Sequence, residues 1–146
     1  MKETVGIKGK LTLRLFDKDG NLKNEMTVPN LIMDVGKDYI ASRIMQGTAT
    51  VMSHMAVGTS NANSTDSTLT TLGTQAGRVA LTSTTLADNV VEYEALFPAG
   101  TGTGALVEAG IFNDSSAGTM LCRTTFSVVN KSASDTLTIN WIITIS

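Results

Sequence analysis

The chain is short of charge, aromatic side chains and cysteine. Asp, Glu, Lys and Arg together make 16% of its 146 residues, well below the roughly 25% of an average soluble domain. Basic residues do not outnumber acidic ones, and the formal net charge is −2. Binding to a phosphate backbone needs a concentrated basic surface, so no nucleic-acid partner is expected. A mild basic cluster is present at Lys2, Lys8, Lys10, Arg14 and Lys18. It reads as a solvated strand face or, alternatively, as a contact with an acidic partner surface. Cys122 is the single cysteine, which excludes an intrachain disulfide and a cysteine-rich zinc site. No apolar run approaches the roughly 20 residues that span a bilayer. Met1-Lys2-Glu3-Thr4 leads into no apolar segment, so neither a secretory signal nor a membrane partner is expected.

Thr, Ser, Asn and Gly take the place of the missing charge, while hydrophobic residues still make 42% of the chain. That apolar content is enough for one core and argues against disorder. Ser and Thr disfavour helix interiors, and Thr suits pleated strands. The length predicts one domain over residues 1–146.

Residues 7–16 alternate, with Leu11, Leu13 and Leu15 on one face and Lys10, Thr12 and Arg14 on the other, as in a half-buried strand. Asp17-Lys18-Asp19-Gly20-Asn21 is a turn. Residues 22–28 return as a second strand, which Pro29 closes. This hairpin, 7–28, is a candidate partner-contacting arm. One amphipathic helix is expected at 31–46, with Leu31, Ile32, Val35, Tyr39, Ile40, Ile44 and Met45 at helical spacing. Asn30 or Asp34 is its cap, Gly36 a weak point and Gly47 its stop. Further strands are expected at 51–58, 77–86, 89–97, 106–112, 119–129 and 136–145, with a helical turn at 68–73 and a flexible loop at 98–104. About eight strands with turn signals every 8–12 residues predict an all-β sandwich, jelly-roll or Ig-like. Tyr93, Phe97, Phe112, Phe126 and Trp141 are its candidate core aromatics, and Tyr39 also reads as core-facing. Val129 and Ile142 are apolar residues on faces expected to point outward.

Sites for chemistry are scarce. His54 is the single histidine, so any Ser or Cys nucleophile would depend on it as base, and no Gly-x-Ser-x-Gly elbow occurs. Cys122 reads as a small buried hydrophobe, with Arg123 on the opposite face. Asp17-x-Asp19-Gly20 opens like a calcium loop, but its glycine comes too early and Glu25 falls in the return strand. The loop Gly100-Thr101-Gly102-Thr103-Gly104 lacks the Gly-Lys-Ser/Thr ending of a phosphate loop. Glu92, Glu94 and Glu108 are conceivable paired carboxylates of a glycosidase, but Glu92 and Glu94 face away from the apolar set. The expectation is no catalytic residue, no cofactor and no metal.

Several segments resemble small virion proteins of tailed phages: capsid decoration or cement proteins, head fibres and tail fibres. The resemblance covers residues 30–146. It rests on the helix entry Asn30–Ala41 and on Met55-Ala56-Val57-Gly58-Thr59 followed by a polar loop and Leu69-x-x-Leu72. It continues in Glu108-Ala109-Gly110-Ile111-Phe112-Asn113, Gly118-x-Met120-Leu121-x-Arg123-x-x-Phe126, Lys131, and the closing Leu137–Ile145 strand with Trp141. It implies a mostly β virion component, assembled in the host cytoplasm. The leading expectation is a capsid decoration protein. It would form a homo-oligomer, a trimer being one form, and bind the major capsid protein or other virion proteins through Lys8, Lys10, Arg14 and Lys18. The alternative is a tail, neck or fibre component. A carbohydrate-binding module comes third, opposed by the lack of exposed aromatic platforms, and an enzyme last.

Overall fold

A computed structural model describes residues 3–146. Lys2, the first member of the basic cluster, lies outside the described residues. Ten strands and one helix follow in the order β1 (Ile7–Phe16), β2 (Leu22–Pro29), β3 (Leu31–Ile32), α1 (Asp34–Ile44), β4 (His54–Gly58), β5 (Gln75–Ala80), β6 (Ser83–Ala87), β7 (Val90–Phe97), β8 (Gly104–Phe112), β9 (Met120–Lys131) and β10 (Thr136–Ile145). They form two five-stranded sheets. The first runs β2-β1-β10-β7-β6 and the second β3-β9-β8-β4-β5, with every pairing antiparallel. The fold is an all-β sandwich.

The main core lies between the sheets because strand alternation sends one apolar set inward from each. Leu11, Leu13 and Leu15 of β1 meet Leu137, Ile139, Trp141 and Ile143 of β10 on one side, and Met55, Val57, Ile111, Cys122 and Phe126 complete it on the other. Phe97, Phe112, Phe126 and Trp141 are buried, while Tyr93 is half-buried and packs against this core. Phe112 belongs to a second, smaller cluster with Met33, Ala56, Leu72 and Met120.

The differences from the sequence reading have local causes. Residues 77–86 are not one strand: the chain leaves β5 at Ala80 and joins the other sheet at Ser83. The crossing is pinned by Leu81 N–H to the Ser53 carbonyl and Thr82 N–H to the Glu94 carbonyl. Leu31 and Ile32 do not start the helix; they pair with Arg123 and Cys122 as β3. Ten strands instead of about eight follow from these two features. Met33, with no side-chain cap, precedes the helix, which has weak amphipathic character. Ile44 and Met45, expected on its apolar face, are 85% and 80% exposed. The left-handed residue after the helix is Gln46, not Gly47. Gly36 is where α1 touches the sheet: a Cβ there would come within 2.9 Å of the Leu121 carbonyl carbon. The expected turn of helix at 68–73 is irregular backbone. Val129 points inward because β9 carries extra residues opposite Val107, so the ladder passes from Glu108–Thr125 to Leu106–Val129. Val128 is exposed in its place. The hairpin 7–28, the candidate partner-contacting arm, is built into the first sheet, with β1 between β2 and β10.

Candidate interaction surface

The outer face of the second sheet is covered by the polar loop 59–74, and one ion pair holds that cover. Glu108 is fully buried and accepts five hydrogen bonds: from the backbone N–H of Ser60 (3.2 Å), Gly73 (2.9 Å) and Thr74 (2.8 Å), and from Arg123 Nε (3.1 Å) and Nη2 (2.9 Å). Arg123, also buried, spends its remaining donors on the carbonyls of Ser60, Ala62 and Asn63. A carboxylate offers acceptors only and a guanidinium donors only, so the pair matches both polarities of the loop backbone. Leu72, buried in the smaller cluster with Leu69 packed against it, adds an apolar anchor to this otherwise polar cover. Glu108 is therefore a structural group and no partner of Glu92 or Glu94. Arg123 lies opposite to Cys122, whose thiol is buried in the main core. Burial pushes that thiol well above its ordinary pKa, so it has no thiolate character.

Arg78 locks a second loop. Its guanidinium sits 3.7 Å from the Phe112 ring centroid and donates to the carbonyls of Asp114 and Ala117. Asp114 is held below the usual carboxylate range, chiefly by the Ser116 and Ser115 backbone N–H groups. His54 Nδ1 lies 2.8 Å from Ser53 Oγ. This pairing within adjacent residues needs no substrate to explain it. The Asp17 carboxylate accepts the N–H groups of Asp19 and Asn21, as a turn-closing side chain does. Gly102 is buried at positive φ, and a Cβ there would meet Val57 and Phe97. The glycine-rich loop thus packs onto the sandwich, although the sequence suggested flexibility.

The outer face of the first sheet is open. Its rows follow from the register. Lys10, Ile142 and Glu92 are neighbours across β1, β10 and β7, as are Thr12, Asn140 and Glu94, then Arg14, Thr138 and Leu96, and Lys8, Thr144 and Val90. Asn140 Nδ2 donates to both Glu92 and Glu94 at 2.8 Å, Ser83 Oγ donates to Glu94, and Arg14 pairs with Glu25 at 2.9 Å. Lys8, Lys10, Ile142 and Thr144 border a shallow depression of about 330 Å³. The structure therefore keeps Lys8, Lys10 and Arg14 on one face. Lys18 lies in the turn beyond the strand, roughly 30 Å from Lys8 by strand rise. At that end Lys23 pairs with the buried Asp135 at 2.8 Å. The Lys23 ammonium, together with the Ser132 N–H, draws the Asp135 carboxyl down to about 2.

Residues 26–146 match the family model described as phage tail-collar fibre protein, N-terminal. The chain belongs to this family. No curated protein and no solved structure matches it. The tail-collar fibre match takes in α1, every strand from β3 onward, and the end of β2. Glu108, Arg123 and the loop they hold lie inside it. Lys8, Lys10, Arg14 and Lys18 lie before it. Membership makes the chain a structural component of a phage virion. No helix among the described residues is long and apolar enough to cross a membrane.

Sequence reasoning missed the Glu108–Arg123 pair. The available signal was the presence of one Glu and one Arg in apolar strands, and only the register puts them on the same face.

Proposed function

We propose that this chain is a tail-fibre or collar component of a tailed phage, working by protein–protein contact and catalysing no reaction. The family match over residues 26–146 carries this reading. It favours the tail over the capsid shell, for which the resemblance to decoration proteins and the basic cluster of the first strand pair were the support. Two open surfaces suit contact with other virion proteins. One is the outer face of the first sheet. The other is the segment from the helix end to Val51, where Ile44, Met45 and Val51 are all exposed. Apolar residues gathered on one surface segment are typical of contact sites. A glycan-binding role finds no support here: Trp141 is fully buried and Tyr93 packs against the core, so neither offers a stacking platform.

Immunogold labelling of purified virions, and of separated heads and tails, tests the proposal. Label at the collar or tail is expected. Label spread over the capsid shell would overturn it and restore decoration, and a virion without label would remove the chain from the particle.

A further inference from the structure

We infer that the outer face of the first sheet is a self-complementary docking surface whose occupant is a second copy of this chain, related by a twofold axis running along β10. The charge pattern carries the inference. Lys10, Ile142 and Glu92 stand in one row across β1, β10 and β7, which makes the row positive, apolar and negative. Lys10 and Glu92 are each one strand from β10, so they are equidistant from it, about 5 Å to either side. Lys8 adds positive charge on the β1 side, and Glu94 adds negative charge on the β7 side. Arg14 and Glu25 neutralise one another.

Two identical faces can meet about a twofold axis lying between them. If that axis runs across the strands, each β1 lies over the other copy's β1 and lysine opposes lysine. If it runs along β10, left and right exchange while position along the strands is kept. Lys10 of each copy then stands over Glu92 of the other, and Ile142 over Ile142. This orientation keeps the strands of the two faces aligned, as in ordinary sheet-on-sheet packing. The depression beside Lys8, Lys10, Ile142 and Thr144 receives the second copy's Glu92.

Five strands about 4.8 Å apart and four rows of outward residues give a face of roughly 500 Å² per copy. The total of about 1,000 Å² is the smallest area expected of a specific interface. The dimer is therefore weak, salt-sensitive and populated at high concentration. The inference does not depend on where in the virion the chain sits.

Sedimentation velocity of the full chain, at concentrations up to about 1 mM, tests it. A monomer–dimer equilibrium that weakens with added salt is expected. Lys10→Glu and Glu92→Lys each place like charges opposite one another twice, and each should weaken the dimer about tenfold or more. The double variant carrying both changes should restore it. Lys18→Glu, in the turn away from the face, should leave it unchanged. Thermal melts establish that each variant is folded. A wild-type chain that stays monomeric, an oligomer indifferent to Lys10→Glu, or a folded double variant that fails to re-form the dimer would each overturn the inference.

Discussion

Glu108 shows how much one side chain can organise. Its oxygens accept from three backbone N–H groups of the 59–74 loop and from Arg123. Glu108→Gln would turn an amide NH₂ toward existing donors and leave a buried guanidinium uncompensated. The expected loss is about 3–5 kcal/mol, as for other buried pairs broken on one side, and urea denaturation would measure it. Replacing both partners with apolar residues often recovers stability. Here it should not, because the N–H groups of Ser60, Gly73 and Thr74 would be left without acceptors. From sequence, Glu108 was visible as a carboxylate to set beside Glu92 and Glu94 and as the start of the Glu108–Asn113 segment, not as the partner of Arg123. Its role depends on the ladder that places Gly110 beside Arg123 and on a loop dozens of residues away, neither of which local pattern encodes.

At the scale of elements, alternation was the readable signal, and it worked where a strand is long and one-sided. The last strand was expected at 136–145 and is found at Thr136–Ile145. The pattern failed where the chain changes sheet, because the run from Gly77 to Leu86 keeps its strand-like composition through the crossing at Leu81. It also misread Leu31 and Ile32, whose apolar character suits β3 as well as a helix. Gly36 looked like a weakness of the helix, yet it is the contact that seats α1 on β9. Gly36→Ala should raise intrinsic helix propensity by about 1 kcal/mol. The added methyl would nevertheless collide with the Leu121 backbone, at a cost typical of overpacking, about 1–3 kcal/mol. A lower thermal midpoint is expected, and an unchanged or higher one would mean that the helix can shift away.

For the whole molecule, the family match and the fold have different boundaries. The match begins at residue 26, but β1 is an interior strand whose Leu11, Leu13 and Leu15 fill the core. A chain trimmed to residues 26–146 would leave β10 an open edge and the core without three leucines. It should aggregate and show no cooperative melt by circular dichroism. A soluble, cooperatively melting fragment would instead make β1 an accessory strand. The same strand brings the ends together: Gly6 and Ser146 exchange backbone hydrogen bonds, and Ile7 pairs with Ile145. Polypeptide joined before residue 6 and polypeptide joined after residue 146 would leave from one pole. Tension applied between those two points would peel β1 from β10 one pair at a time, like a zipper, instead of shearing the whole ladder at once. The domain is a poor link for a cable pulled through both its ends and a good one for a mount loaded at one end and braced across its face.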